Sequence, residues 1–135
     1  MNHNLGPTGT LASYAAGAKY ADFPEAVKWM AKLCIADSIG CAYGGADTTT
    51  GRFVAGLTEE LGGHPEVPIL GDGRLVPAVV GGDVNAKLAN VLDFDDTLIG
   101  HPGACVIHPA LALAQKIGAS GQQLTRAVAL GYEWG

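Results

Sequence analysis

Residues 85–103 read Asn85-Ala-Lys-Leu-Ala-Asn-Val-Leu-Asp-Phe-Asp-Asp-Thr-Leu-Ile-Gly-His-Pro-Gly103, and the first half of this stretch decides the fold. A β-branched lead-in to Asp93 would make a strand that delivers an acid to the end of a parallel sheet. The lead-in here is NAKLAN, which suits a helix better. Val80, Val84, Leu88 and Val91 step by four, four and three, the spacing of one helical face. A helix is therefore expected from about Pro77, and Gly81-Gly82 weaken its beginning enough to favour a start at Asp83. Downstream, Pro109 is expected near the first turn of the next helix and Gly118 just past its end. Ser120 and Gln123 have the spacing of a capping box for a last helix through Leu124, Val128 and Tyr132, still in progress at Gly135.

Upstream, a long helix is predicted to begin near Pro24, with Asp22 as its cap, and to end at Gly44-Gly45. Val27, Met30, Leu33, Cys34 and Ile39 cover most of its circumference, so it is expected to be central and buried, with Lys28 and Lys32 on its one wet stripe. Asp37 on this helix is read as a buried carboxylate with a structural hydrogen-bonding role. A second helix is expected over Thr50–Leu61, followed by a short hairpin around Gly71-Asp72-Gly73 between Val67 and Val76. With no βαβ alternation, the fold class is all-α with one short β-hairpin.

Of the 135 residues, 48% are apolar and 16% charged, which excludes a disordered chain and suits a domain that docks onto other surfaces. The eight Lys and Arg are scattered in a chain of net charge −5, so nucleic acid is excluded as a partner. The start lacks the basic and apolar regions of a signal peptide, and Asp37 interrupts the best apolar run, so no membrane partner is expected and the location is read as cytoplasmic. Cys34, Cys41 and Cys105 include no CxxC pair; Cys34 and Cys41 read as small buried hydrophobes, and no metal site is expected.

The chemistry concentrates in the quoted stretch. Asp93, Asp95 and Asp96 lie within four residues, and His101 precedes a proline and a glycine in extended or turning backbone. If the helix persists a turn past Leu92, Asn90, Asp93 and Thr97 share one face. An imidazole beside free amide donors of the following helix makes a proton shuttle next to a substrate carboxylate. His3, His64 and His108 are read as ordinary histidines without a role in the chemistry. No Lys or Arg occurs between Leu88 and Gln115, so at least one acid must be protonated or tied to His101 or to a cation from elsewhere. In the simplest division Asp93 faces the site while Asp95 and Asp96 cap backbone or make ion pairs.

DFDDT followed by HPG, then an apolar helix and ALGYE, resembles the MmgE/PrpD family, and ADSIGCAYGG resembles that family's first long helix. The resemblance runs from about Pro24 to Glu133. Its members include 2-methylcitrate dehydratase, cis-aconitate decarboxylase and an iminodisuccinate epimerase. It implies a lyase or isomerase that moves a proton at a carbon next to a carboxylate of a small di- or tricarboxylate, with no metal or organic cofactor. It also implies a large helical domain with a smaller α/β lid, as a homodimer. On this resemblance residues 1–135 are the amino-terminal part of the helical domain, inactive alone, with a second histidine, substrate-binding lysines and the lid beyond Gly135. Carried over by position, His101 is the catalytic acid/base and Asp93 and Thr97 line the substrate pocket; Asn90, placed with them as substrate-binding, stands where many relatives have histidine.

Two other readings stay open. Val91-Leu-Asp-Phe-Asp-Asp-Thr-Leu98 also imitates the first motif of haloacid-dehalogenase-type phosphatases, in which Asp93 would be a nucleophile, Asp95 an acid/base and Mg²⁺ a required ion. The third is a non-catalytic helical interaction domain with the acids on a solvated face.

Overall fold

A computed structural model describes residues 6–96 and 100–134. The chain runs α1 (Gly6–Gly17), a 3₁₀ turn (Tyr20–Asp22), α2 (Glu25–Ala46), α3 (Thr49–Gly56), α4 (Thr58–Leu61), β1 (Val67–Pro68), β2 (Leu75–Val76), α5 (Ala78–Asn90), α6 (Pro102–Ile117) and α7 (Gly121–Trp134). The strands form an antiparallel pair in register Val67 with Val76, the only sheet among the described residues. The all-α reading with one hairpin stands, and with no strand leading into Asp93 the phosphatase reading loses its required fold.

Helix α5 packs most extensively on α6 and then on α2, which also touches α7. One core lies between α2, α3, the hairpin and α5, around Ala42, Ile69, Leu88 and Ala89. A second, around Ala31, Ile107 and Val128, joins α2, α6 and α7.

Several local expectations change. Helix α1 and the break between α3 and α4 were not foreseen; Thr48 starts α3 by accepting from the Gly51 amide at 2.9 Å. Helix α5 begins at Ala78, because Gly81 and Gly82 serve packing: a side chain on Gly81 would collide with Val67, and one on Gly82 would crowd the Pro109 backbone. Helix α6 begins at Pro102, two turns earlier than expected, and Pro109 lies inside it. Gly118 takes the left-handed conformation that ends α6, and Ser120 with Gln123 forms the expected reciprocal cap.

The largest correction concerns α2. Apart from Lys28 its buried seam is made of small residues: Cys41, Ala42 and Gly45 let α5 approach closely, while Ala31 and Ser38 meet α6 and α7. Val27, Met30 and Leu33 are exposed, and so is Asp37. Asp22 lies in the 3₁₀ turn and does not cap α2, whose N-cap is Pro24. Lys28 is buried instead of wet: its stem folds down so that Nζ lies 2.8 Å from Glu25 and 5.0 Å from the Tyr20 ring centroid.

Candidate active site

The site forms where α5 ends and α6 begins. Helix α5 does not persist past Leu92. The Asp93 amide donates to the Asn90 carbonyl at 2.9 Å, and Asp93 itself adopts φ +58°. Aspartate tolerates the left-handed region better than most residues, and here it turns the chain sharply out of the helix. The shared helical face expected for Asn90, Asp93 and Thr97 therefore does not form by helical spacing. Thr97 lies outside the described residues.

The turn sends Asp95 inward, where its side chain has no exposed surface. Asp95 Oδ1 lies 3.3 Å from Asn90 Nδ2, which donates to it, and 3.0 Å from His101 Nδ1. The Nδ1–Asp95 contact has hydrogen-bond geometry whereas Nε2 makes only an ion-pair approach to Asp93, so a neutral His101 bonded to an accepting Asp95 carries its proton on Nδ1. His101 Nε2 is 3.2 Å from Asp93 Oδ1, whose side chain is 83% exposed. The imidazole thus stands between an inner acid that orients it and an outer acid at the solvent edge. An imidazolium would be held by both.

Asp96 does different work. Its Oδ1 accepts from the Gly103 amide at 3.0 Å in the first turn of α6, where a negative charge complements the helix terminus. His101 is the N-cap by position but makes no side-chain cap bond. A side chain on Gly103 would collide with Asp96 Oδ1, so glycine is required for this close approach. Asp96 Oδ2 accepts from the Tyr132 hydroxyl at 2.5 Å. Burial, then the bond to Asp96, pushes the Tyr132 phenol well above its ordinary range, so it remains a donor.

The structure thus brings together Asn90, Asp93 and His101 of the residues singled out in the sequence, and adds Asp95 as the hub that bonds two of them. Asp95 pairs with His101 and Asp96 caps backbone at Gly103, the division expected for these two acids, and Asp95 is the one that fixes the imidazole. The three acids are accommodated without any Lys or Arg in the cluster's hydrogen bonds, two of them on His101 and one on Tyr132 and the α6 terminus. Among the described residues no group of three or more His, Cys, Asp or Glu is arranged to hold a metal ion.

His108, read as an ordinary histidine, is 1% exposed, with Nε2 2.9 Å from Ser38 Oγ of α2. Burial lowers its pKa to about 4, against smaller opposing effects of Ser38 and the Asp95 charge, so it is neutral at neutral pH. Only the two-turn spacing from His101 along α6 hinted at this in the sequence, and the misplaced helix start concealed it.

No helix among the described residues is long and apolar enough to cross a membrane. No curated protein and no solved structure matches the chain. The model of the MmgE/PrpD N-terminal domain does match, over residues 9–135. That span contains the acid cluster, His101 and every helix that positions them, and on it the chain belongs to the MmgE/PrpD family.

Proposed function

We propose that this chain carries the acid/base part of an active site that removes or delivers a proton at a carbon next to a carboxylate of a small di- or tricarboxylate. The observation that carries this reading is the His101 imidazole, fixed at Nδ1 by the buried Asp95 with Nε2 turned toward Asp93. An imidazole fixed by a carboxylate at one nitrogen has the other available to take up or give a proton, as in other histidine–aspartate pairs. Asn90 and Asp93 sit within reach of the same space, and Thr97 is assigned to it by family position alone.

Family membership supports a lyase or isomerase, either a dehydratase, a decarboxylase or an epimerase, working without metal or organic cofactor. These reactions share the proton transfer and differ in what leaves the substrate. A di- or tricarboxylate needs cations to balance it, and the cluster contains none. Residues 1–135 are accordingly the amino-terminal part of the helical domain, inactive alone, with lysines, a second histidine and a lid supplied by sequence after Gly135 in a homodimer. A closed lid also strengthens the remaining electrostatic contacts by excluding water.

The test is isotopic. The full-length enzyme is incubated in D₂O with a panel of methylcitrate-like, aconitate-like and amino-dicarboxylate substrates. Deuterium is expected at the carbon next to a carboxylate in product or recovered substrate, and His101→Gln is expected to suppress its entry. Turnover with no deuterium at that carbon would overturn the reading.

A further inference from the structure

Among the described residues, two buried side-chain atoms lack a hydrogen-bond partner: Asp95 Oδ2 and His108 Nδ1. Buried polar atoms in folded proteins are nearly always satisfied, by protein or by an ordered water, so two such atoms in one region call for a physical explanation. Their placement relates them. His101 is the N-cap of α6 and His108 lies seven residues on, two turns into that helix, so the two imidazoles belong to the same end of α6. Side chains on a helix lean toward its N-terminus, which carries the His108 ring toward the end where His101 holds Asp95 Oδ1. From α2, Ser38 holds the other nitrogen of His108, and Cys41, one turn further along α2, feels the charge of Asp95. The Asp95 charge thus acts on His108 of α6 as well as on Cys41 of α2, and its carboxylate is tied to the N-cap residue of α6.

We propose that one ordered water bridges Asp95 Oδ2 and His108 Nδ1, and that His108, backed by Ser38, is a positioning residue for the Asp95–His101 pair. The proposal rests on the reading of His101 as the acid/base. A water suits either tautomer of His108: it donates to the carboxylate, and at Nδ1 it accepts from an N–H or donates to a lone pair. With Oδ2 held from the core and Oδ1 shared by Asn90 and His101, rotation of the buried carboxylate is arrested. An arrested Asp95 keeps the proton of His101 on Nδ1 and leaves Nε2 on the side of Asp93. The charged or titratable side chains around this unit are Asp93 and Asp96 from the same loop, Cys41 from α2 and, through Asp96, Tyr132 from α7.

The test reads the tautomer of His101 by ¹⁵N NMR of the full-length protein labelled at histidine, at a pH where the ring is neutral and with no substrate present. The wild type is expected to show Nδ1–H. His108→Leu removes the water's anchor, and most of the Nδ1–H signature of His101 should be lost. His108→Asn, which keeps a polar amide near the position of Nδ1, should restore it. Ser38→Ala, which leaves the His108 ring free to turn, should weaken it. A purely structural role for His108 predicts lower stability in these variants with the His101 signature intact. That result in folded His108→Leu, or in Ser38→Ala if His108→Leu does not fold, overturns the proposal. So does a high-resolution crystal structure with no water shared by the two atoms. Because no substrate enters the measurement, its failure is distinguishable from failure of the polycarboxylate reading, which the deuterium experiment decides alone.

Discussion

The Tyr132 hydroxyl donates to Asp96 Oδ2 across 2.5 Å and 36 positions of sequence, tying α7 to the loop that carries the candidate acids. The same carboxylate caps α6 through Gly103, so one side chain fixes both the start of the helix and the approach of its neighbour. Tyr132→Phe removes the donor and leaves Asp96 half-buried with one bond fewer. A loss of about 1.5–3 kcal/mol in urea unfolding is expected, in line with other hydrogen bonds to a charged group. An unchanged midpoint would show that water replaces the phenol at no cost.

Asp93 separates backbone from chemistry. Its φ of +58° favours Gly, Asn and Asp, so Asp93→Asn should fold as well as the parent, while Asp93→Val should lose about 1–2 kcal/mol. If Asp93 serves the reaction, Asp93→Asn lowers turnover of the full-length enzyme without that loss of stability. Thermal unfolding of the two variants beside one activity assay separates the contributions.

His108 makes a pH prediction of definite sign. In the unfolded chain it binds a proton near pH 6.5, whereas in the fold its pKa lies near 4. Between those values the unfolded state holds more protons, so acid favours unfolding. Stability is complete above about pH 6.5 and falls as the pH drops toward 4, by up to about 3 kcal/mol from this group. Urea unfolding at a series of pH values should show this slope, and His108→Leu should flatten it. An equal slope in the variant would place the effect on the carboxylates.

His101→Gln in the full-length enzyme should lower kcat by about 10²–10⁴-fold, with KM changed much less. The amide preserves much of the shape and can still donate to Asp95, but it neither takes up nor releases a proton near neutral pH. Steady-state kinetics with circular dichroism on the same sample check this. Unchanged turnover in a folded variant would remove His101 from the mechanism.

Exhaustive treatment of the full-length enzyme with EDTA should leave its rate unaltered. Loss of activity that Mg²⁺ alone restores would revive the phosphatase chemistry that the DFDDT motif imitates, on a fold with no strand before Asp93.

Much of the helical framework was legible in local sequence because its signals are local. The four-four-three spacing of Val80, Val84, Leu88 and Val91, the Ser120–Gln123 cap and the glycine after Ile117 act within one or two turns, and the structure has each of them in place. The chemistry was legible as a cluster, since three acids and a histidine within nine positions cannot lie far apart. Tertiary structure decided the division of labour. Local rules penalise glycine and interior proline in helices, but Gly81 is accepted because the hairpin valines Val67 and Val76 press on α5 there, and Gly82 and Pro109 because α5 and α6 pack closely. Local rules make Lys28 wet and Met30 buried; the reverse holds because the small residues of α2 are the ones turned to α5, α6 and α7, whatever the hydrophobicity of its other side. A left-handed Asp93, set by one backbone turn, sends Asp95 to His101 and Asp96 to α7. Which of the three clustered acids is buried depends on that turn and on partners up to 36 residues away, and spacing along the chain contains neither.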